Sequence, residues 1–202
     1  MIGLPAGIQS IMNSVSGMIM TYVINQLGTD AVAGNTAYAK LDGIYWIVSN
    51  AFAIAAATFV SQNLGAGKKE RVLKSIRTCL VLDAALSLFI SPFFLLTSRY
   101  LPYLFTDDQK VIEQALDVMK AIAPYYALVP FYEVLSSALR GKEDVKIPMI
   151  INITGLCGIR VVYILVLHNP SSIWQVVISS PVSWFFTAVA TAGYYLYRRK
   201  CA

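Results

Sequence analysis

Charge is what this sequence has least of. Asp, Glu, Lys and Arg make up 13% of its 202 residues, about half the share of roughly 25% found in soluble domains. Cysteine and histidine are scarce too. Cys79, Cys157 and Cys201 are far apart, and neither a C-x-x-C pair nor a Cys/His spacing offers a metal centre or a disulfide framework. The lone His168 reads as an interfacial imidazole at an outer helix end. With no nucleophile–base pair and no cofactor loop, an enzyme is not expected and no cofactor is implied. Linkers and low-complexity runs are lacking as well, so residues 1–202 read as one unit. Met1 is not followed by a basic segment and a cleavage site, so the first apolar stretch reads as a membrane span and not as a removable leader.

What is present is apolar length. Hydrophobic residue types reach 57%, with a mean hydropathy of +0.61. Met1 to Thr29, Gly43 to Gly67 and Asn169 to Tyr197 carry no charge at all. Thr78 to Ser98 holds only Asp83, Ala121 to Leu139 only Glu133, and Ile147 to Leu167 only Arg160. Each interval supplies the roughly 20 apolar residues that cross a hydrocarbon core about 30 Å thick. Lipid leaves only helices or closed barrels able to satisfy the backbone, and these runs are too long and continuous for barrel strands. The expectation is an all-α integral membrane protein of six transmembrane helices, spanning approximately 3–27, 41–64, 75–98, 120–140, 147–168 and 173–197.

The net charge of +5 is not a nucleic-acid signature, because no basic stripe with interleaved aromatics exists. Eleven basic residues fall in loops on one side: Lys68, Lys69, Arg71, Lys74 and Arg77, then Arg140, Lys142 and Lys146, then Arg198, Arg199 and Lys200. The other side receives four, Lys40, Arg99, Lys110 and Lys120. The positive-inside rule then places both termini in the cytoplasm, in a plasma (inner) membrane.

Along the chain, Gly28-Thr29-Asp30 ends the first helix, and a short segment from Asp30 to Lys40 leads into the second. Gly65-Ala66-Gly67 lacks phosphate-loop spacing and reads as a helix stop. Thr106-Asp107-Asp108 reads as the N-cap of an amphipathic stretch with Val111, Ile112, Ala115, Leu116 and Met119 at helical spacing, lying along the outer interface. Pro92, Pro124, Pro130 and Pro181 predict kinks, more simply for packing than for shaping a cavity.

Intramembrane charges are costly and tend to face a bundle interior or a watery cavity. At about 1.5 Å per residue, Asp83 lies roughly 9 Å and Glu133 roughly 10 Å from the cytoplasmic ends, and Arg160 roughly 21 Å. Asp83 is expected to snorkel toward the nearby surface, Glu133 to be functional, and Arg160 to serve equally well as a structural tie or a substrate contact. Two acids against one base make the interior slightly anionic, which suits a cation. Gln9, Asn13, Asn50, Gln62 and Asn152 add amides whose usual role in spans is interhelical hydrogen bonding.

The runs Gly3-Leu4-Pro5-Ala6-Gly7-Ile8-Gln9-Ser10 and Gly28-Thr29-Asp30-Ala31-Val32-Ala33-Gly34-Asn35 are similar to those opening the second half of multidrug and toxic compound extrusion (MATE) transporters. The likeness continues through Gln62-Asn63-Leu64-Gly65-Ala66-Gly67, Leu104-Phe105-Thr106, Leu139-Arg140-Gly141 and Ile147-Pro148-Met149, in order and over essentially the whole chain. The resemblance implies a twelve-helix plan of two six-helix lobes around a central cavity, of which this chain looks like the C-terminal lobe. It also implies exchange of amphipathic, cationic compounds for Na⁺ or H⁺, with the lipid bilayer and an N-terminal lobe or a second copy as partners. The family's cavity glutamate eight residues after the first-helix proline is here Asn13. Its acid eleven residues before the arginine is Val129, with Glu133 one turn further on the same face. The cavity set implied is Glu133, Asn13, Gln9, Arg160 and Asp83. Two alternatives stand beside efflux: a flippase of related fold for lipid or lipid-linked oligosaccharide, and a non-transporting half or accessory subunit.

Overall fold

A computed structural model describes residues 3–167 and 170–200; His168 and Cys201 fall outside them. Only helix, joined by short turns, is found among these residues. α1 runs Gly3–Asn25, α2 Thr29–Gly65 and α3 Lys69–Thr97. A 3₁₀ turn, Leu101–Leu104, leads to α4, Gln109–Ile122; a second, Ala123–Leu128, leads to α5, Val129–Gly141. α6, Lys146–Asn152, passes through a π-helical segment, Ile153–Ile159, into α7, Arg160–Val166. α8 is Ile173–Val177 and α9 is Ser179–Lys200.

Thr29–Gly65, Lys69–Thr97, Lys146–Val166 and Ile173–Arg199 are each long and apolar enough to cross a membrane. α1 is uncharged over 23 residues but diluted by amides and serines. The α4–α5 path is interrupted by its 3₁₀ turn. Together with the four, these two are consistent with the six passes expected of the fold.

The helix ends follow local chemistry. After α2, Gly67 takes φ +70, the left-handed conformation that glycine enters without a Cβ penalty. The Lys68 N–H then reaches the Asn63 carbonyl (2.9 Å) and the Gly67 N–H that of Leu64 (2.9 Å), the paired bonds that close a helix C-terminus. The same closure follows α5, with Glu143 at φ 66 and the Asp144 N–H on the Leu139 carbonyl at 3.0 Å. Asp108 caps α4, its carboxylate accepting from the Lys110 N–H at 2.9 Å.

Two features depart from the sequence reading. α2 does not start near residue 41 but at Thr29, so Lys40 and Asp42 lie within a continuous 37-residue helix. The reason is an unbroken buried face, Gly34, Tyr38, Leu41, Tyr45, Ser49, Ala53, Ala56 and Val60, which keeps helical period through both charges. The amphipathic α4 does not lie apart at an interface either. Val111, Ile112, Ala115, Val118 and Met119 are buried, and Gly34 of α2 meets α4 so closely that a Cβ there would stand 2.5 Å from Gln114 Cβ and 2.9 Å from the Val111 oxygen. Gly141, the glycine of the Leu-Arg-Gly run, is pressed in the same way against α2: its Cβ would stand 2.6 Å from the Ala57 oxygen. Small residues let membrane helices approach to this distance.

Candidate functional site

The polar groups of the bundle interior gather where α2 and α3 pack against the 3₁₀ turn between α4 and α5. That turn exists because Pro124 and Pro130 each remove a helical N–H and disfavour helix before them. It carries Tyr126, which is fully buried. The Tyr126 hydroxyl donates to Asp42 Oδ1, and Tyr38, 2.9 Å from the same hydroxyl, must therefore be the donor in that pair. Trp46 Nε1 donates to Asp42 Oδ2 at 2.9 Å, so both Asp42 oxygens are engaged. Tyr45 lies 2.9 Å from Ser87 Oγ and 3.3 Å from the Tyr126 carbonyl, its ring 4.2 Å from that of Tyr126. The kinks thus place a side chain, beyond bending the helix.

Seven residues below Asp42 on α2, about 10 Å along the helix, Ser49 Oγ donates to Asp83 Oδ2 at 3.0 Å. Asp83 is 0% exposed, and its other oxygen has no hydrogen-bond partner. It does not snorkel. Reaching the surface would have required turning away from α2, and Ser49 offers a donor inside. Glu133 of α5 is close enough for the two carboxylates to feel each other's charge. Glu133 itself is half-buried, and among the described residues it makes no hydrogen bond or ion pair. Arg140, two turns further along α5, is the positive charge that acts on it, though its guanidinium is held by Ser137 Oγ at 2.6 Å.

The remaining expected residues lie elsewhere. Arg160 stands at the start of α7, interacting with Tyr132 and Cys157 and not with either acid; its Nε is buried without a partner. Asn13 is exposed on α1 and accepts from Cys157 Sγ at 3.1 Å. Gln9 is half-buried on the same helix. Asn152 accepts from Ser136 Oγ at 3.3 Å. Asn13 and Asn152 therefore both bond across helices. Asp83 and Glu133 come together; Gln9, Asn13 and Arg160 do not join them.

Asp42 escaped the sequence reading because it adjoined Lys40, outside the uncharged run. The available signal was Tyr38, Asp42, Tyr45, Trp46 and Ser49 at helical spacing, an acid with donors one turn on either side. With Asp42 included, the interior holds three carboxylates, and Arg160 does not join them, which is a stronger cation preference than the sequence indicated. Such a column can exchange a proton or accept a small cation in oxygen ligands.

The MatE family model matches residues 5–166. Multidrug resistance protein MdtK of Edwardsiella ictaluri is 24% identical over 182 residues, which is 86% of this chain and 40% of that protein. The probable multidrug resistance protein NorM of Thermotoga maritima is 24% identical over 159 residues, 79% of this chain and 34% of that one. A crystal structure of MATE in complex with MaD3S superposes with a TM-score of 0.91 at 16% identity, over 100% of this chain and 45% of that one. The chain spans less than half the length of the relatives it matches, at the fold of one six-helix lobe. It is a multi-pass membrane protein belonging to the MATE family of transporters.

Proposed function

We propose that this chain is the C-terminal lobe of a secondary active efflux antiporter that exports amphipathic cationic compounds in exchange for Na⁺ or H⁺. The observation that carries the reading is the column Asp42, Asp83 and Glu133, with Glu133 making no hydrogen bond or ion pair among the described residues. Coupling needs a charge that binds a cation on one side and releases it on the other, so that the two lobes rock about the cavity. An anionic lipid cargo would favour the opposite interior sign. The missing wall is an N-terminal lobe or a second copy, because half-exposed Glu133 would otherwise face lipid.

The test uses proteoliposomes holding this chain alone or with an N-terminal lobe, and a fluorescent organic cation. Gradient-driven movement of the cation is expected only from the assembled unit. Transport by monomer at extreme lipid dilution, with no cross-linked dimer, would refute the assembly. Movement of an anionic lipid without any organic cation would refute efflux.

The charge asymmetry supports a topology with both termini on the cytoplasmic side of the inner membrane. Cys79 and Cys157 are buried, so an impermeant thiol reagent reports on Cys201. Labelling is expected only after cells are permeabilised, and labelling of intact cells would invert the topology.

A further inference from the structure

The end of α9 and the turn between α5 and α6 close with the junction of α2 and α3 around a cavity of about 410 Å³. Four cations line it: Lys69 opening α3, Lys142 after α5, and Arg198 and Arg199 near the end of α9. No acid lines it. Asp144 lies beside it, holding Arg198 Nε at 2.9 Å and the Tyr194 hydroxyl at 2.6 Å. That is the only ion pair among the described residues, so Lys69, Lys142 and Arg199 have no acid of their own. Lys142 Nζ rests over the Tyr195 ring, 5.6 Å from its centroid. Burial, with Arg198 and Arg199 nearby, pushes the Lys142 ammonium below the ordinary lysine range. Crowded cations without counter-ions raise the energy of the empty site, and an anion relieves it.

The lining changes along the helices that form it. Leu73 stands one turn into α3 from Lys69 on the same face, and Leu64 stands in the last turn of α2; both line the cavity and both are about two-fifths exposed. Charge at the start of α3 gives way one turn along it to apolar surface, in the order of a phosphate headgroup followed by acyl chain. Basic pockets between membrane helices on the cytoplasmic side are suited to anionic headgroups. We propose that this cavity binds the phosphate of an anionic phospholipid, with its chains along Leu64 and Leu73, and so ties α2, α3, α9 and the α5–α6 turn together. Assignment to the cytoplasmic leaflet rests on the topology proposed above; the binding chemistry does not.

The test is native mass spectrometry of the full chain in detergent, with added dioleoyl phosphatidylglycerol, dioleoyl phosphatidylcholine or glycerol phosphate. Phosphatidylglycerol should be retained about tenfold better than phosphatidylcholine, from the sum of several basic contacts. K142Q/R199Q should abolish that preference, and K110Q/K120Q should leave it intact. Exposed Lys69 gives a milder variant: K69Q should lower the preference severalfold with elution unchanged, and it decides the matter where the double variant fails to fold. An unchanged preference in K69Q and the double variant would overturn the proposal. Retention of glycerol phosphate equal to that of phosphatidylglycerol would also overturn it, marking a site for free anions. Should the Cys201 labelling invert, lipid selectivity would persist and only the leaflet would change.

Discussion

Glu133→Gln should reach the membrane in normal amounts and lose ion-driven efflux, while Glu133→Asp should keep part of it. The expectation follows from what surrounds each acid. Asp42 has both oxygens bonded and Asp83 has one bonded to Ser49. Glu133 has neither, so replacing it by an amide breaks no hydrogen bond and should have little effect on folding. It does remove the charge that must appear and disappear in a coupled cycle, which an amide cannot supply. Drug accumulation per membrane-inserted molecule, in the assembled transporter, separates coupling from folding. Unaltered efflux per molecule in Glu133→Gln would exclude the role, and a loss of inserted protein would make Glu133 a structural anchor.

Asp42 should behave in the opposite way. Asp42→Leu leaves the Tyr126 hydroxyl hydrogen and Trp46 Nε1 without an acceptor in a packed interior. At about 1–3 kcal/mol for each buried polar group left unpaired, the loss is roughly 2–6 kcal/mol, a large part of a stability of about 5–15 kcal/mol. Asp42→Asn keeps the shape: its oxygen can accept from Trp46 and its amide donate to Tyr126, whose own hydrogen then passes to Tyr38, so that the Tyr38 hydrogen is the one donor left unpaired. Thermal unfolding in detergent should therefore show Asp42→Leu far below the parent and Asp42→Asn between the two. A Leu variant melting with the parent would show that the tyrosine–aspartate cluster does not hold the bundle together.

The difference between these acids marks how far the sequence could be read. Uncharged length located the passes, and Gly67 and Asp108 stood out as a stop and a cap from residue type alone. The start of α2 did not, because Lys40 and Asp42 break the uncharged run, and counting charges does not distinguish a solvated acid from one held by a tyrosine and a tryptophan. Asp83 was misjudged for a related reason. Its depth was legible, but which way it turns depends on Ser49, thirty-four residues away, presenting a hydroxyl from the facing helix. Tyr126 lay beyond reach altogether, since its position comes from a break in helical hydrogen bonding that two prolines permit but do not aim.

The same contrast in bonding divides the bundle mechanically. α2, α3 and the turn bearing Tyr126 are fastened by bonds that cross between elements. On α9 two of the buried hydroxyls turn back on their own helix instead, Ser183 to the Ser180 carbonyl (2.7 Å) and Thr187 to that of Ser183 (2.6 Å), while Ser179 bonds the Val176 carbonyl at the end of α8 (2.7 Å). Hydroxyls satisfied in this way leave nothing to break when the helix moves, and they soften its axis. Gly155, in the π segment, leaves no gap there: a Cβ would stand 2.1 Å from Thr187 Oγ1. One side of the lobe is therefore bolted, while the first half of α9 is a close-fitting sliding bearing pinned at its far end, where Asp144 holds Arg198 and Tyr194, and a small shear within the lobe meets its least resistance along that first half.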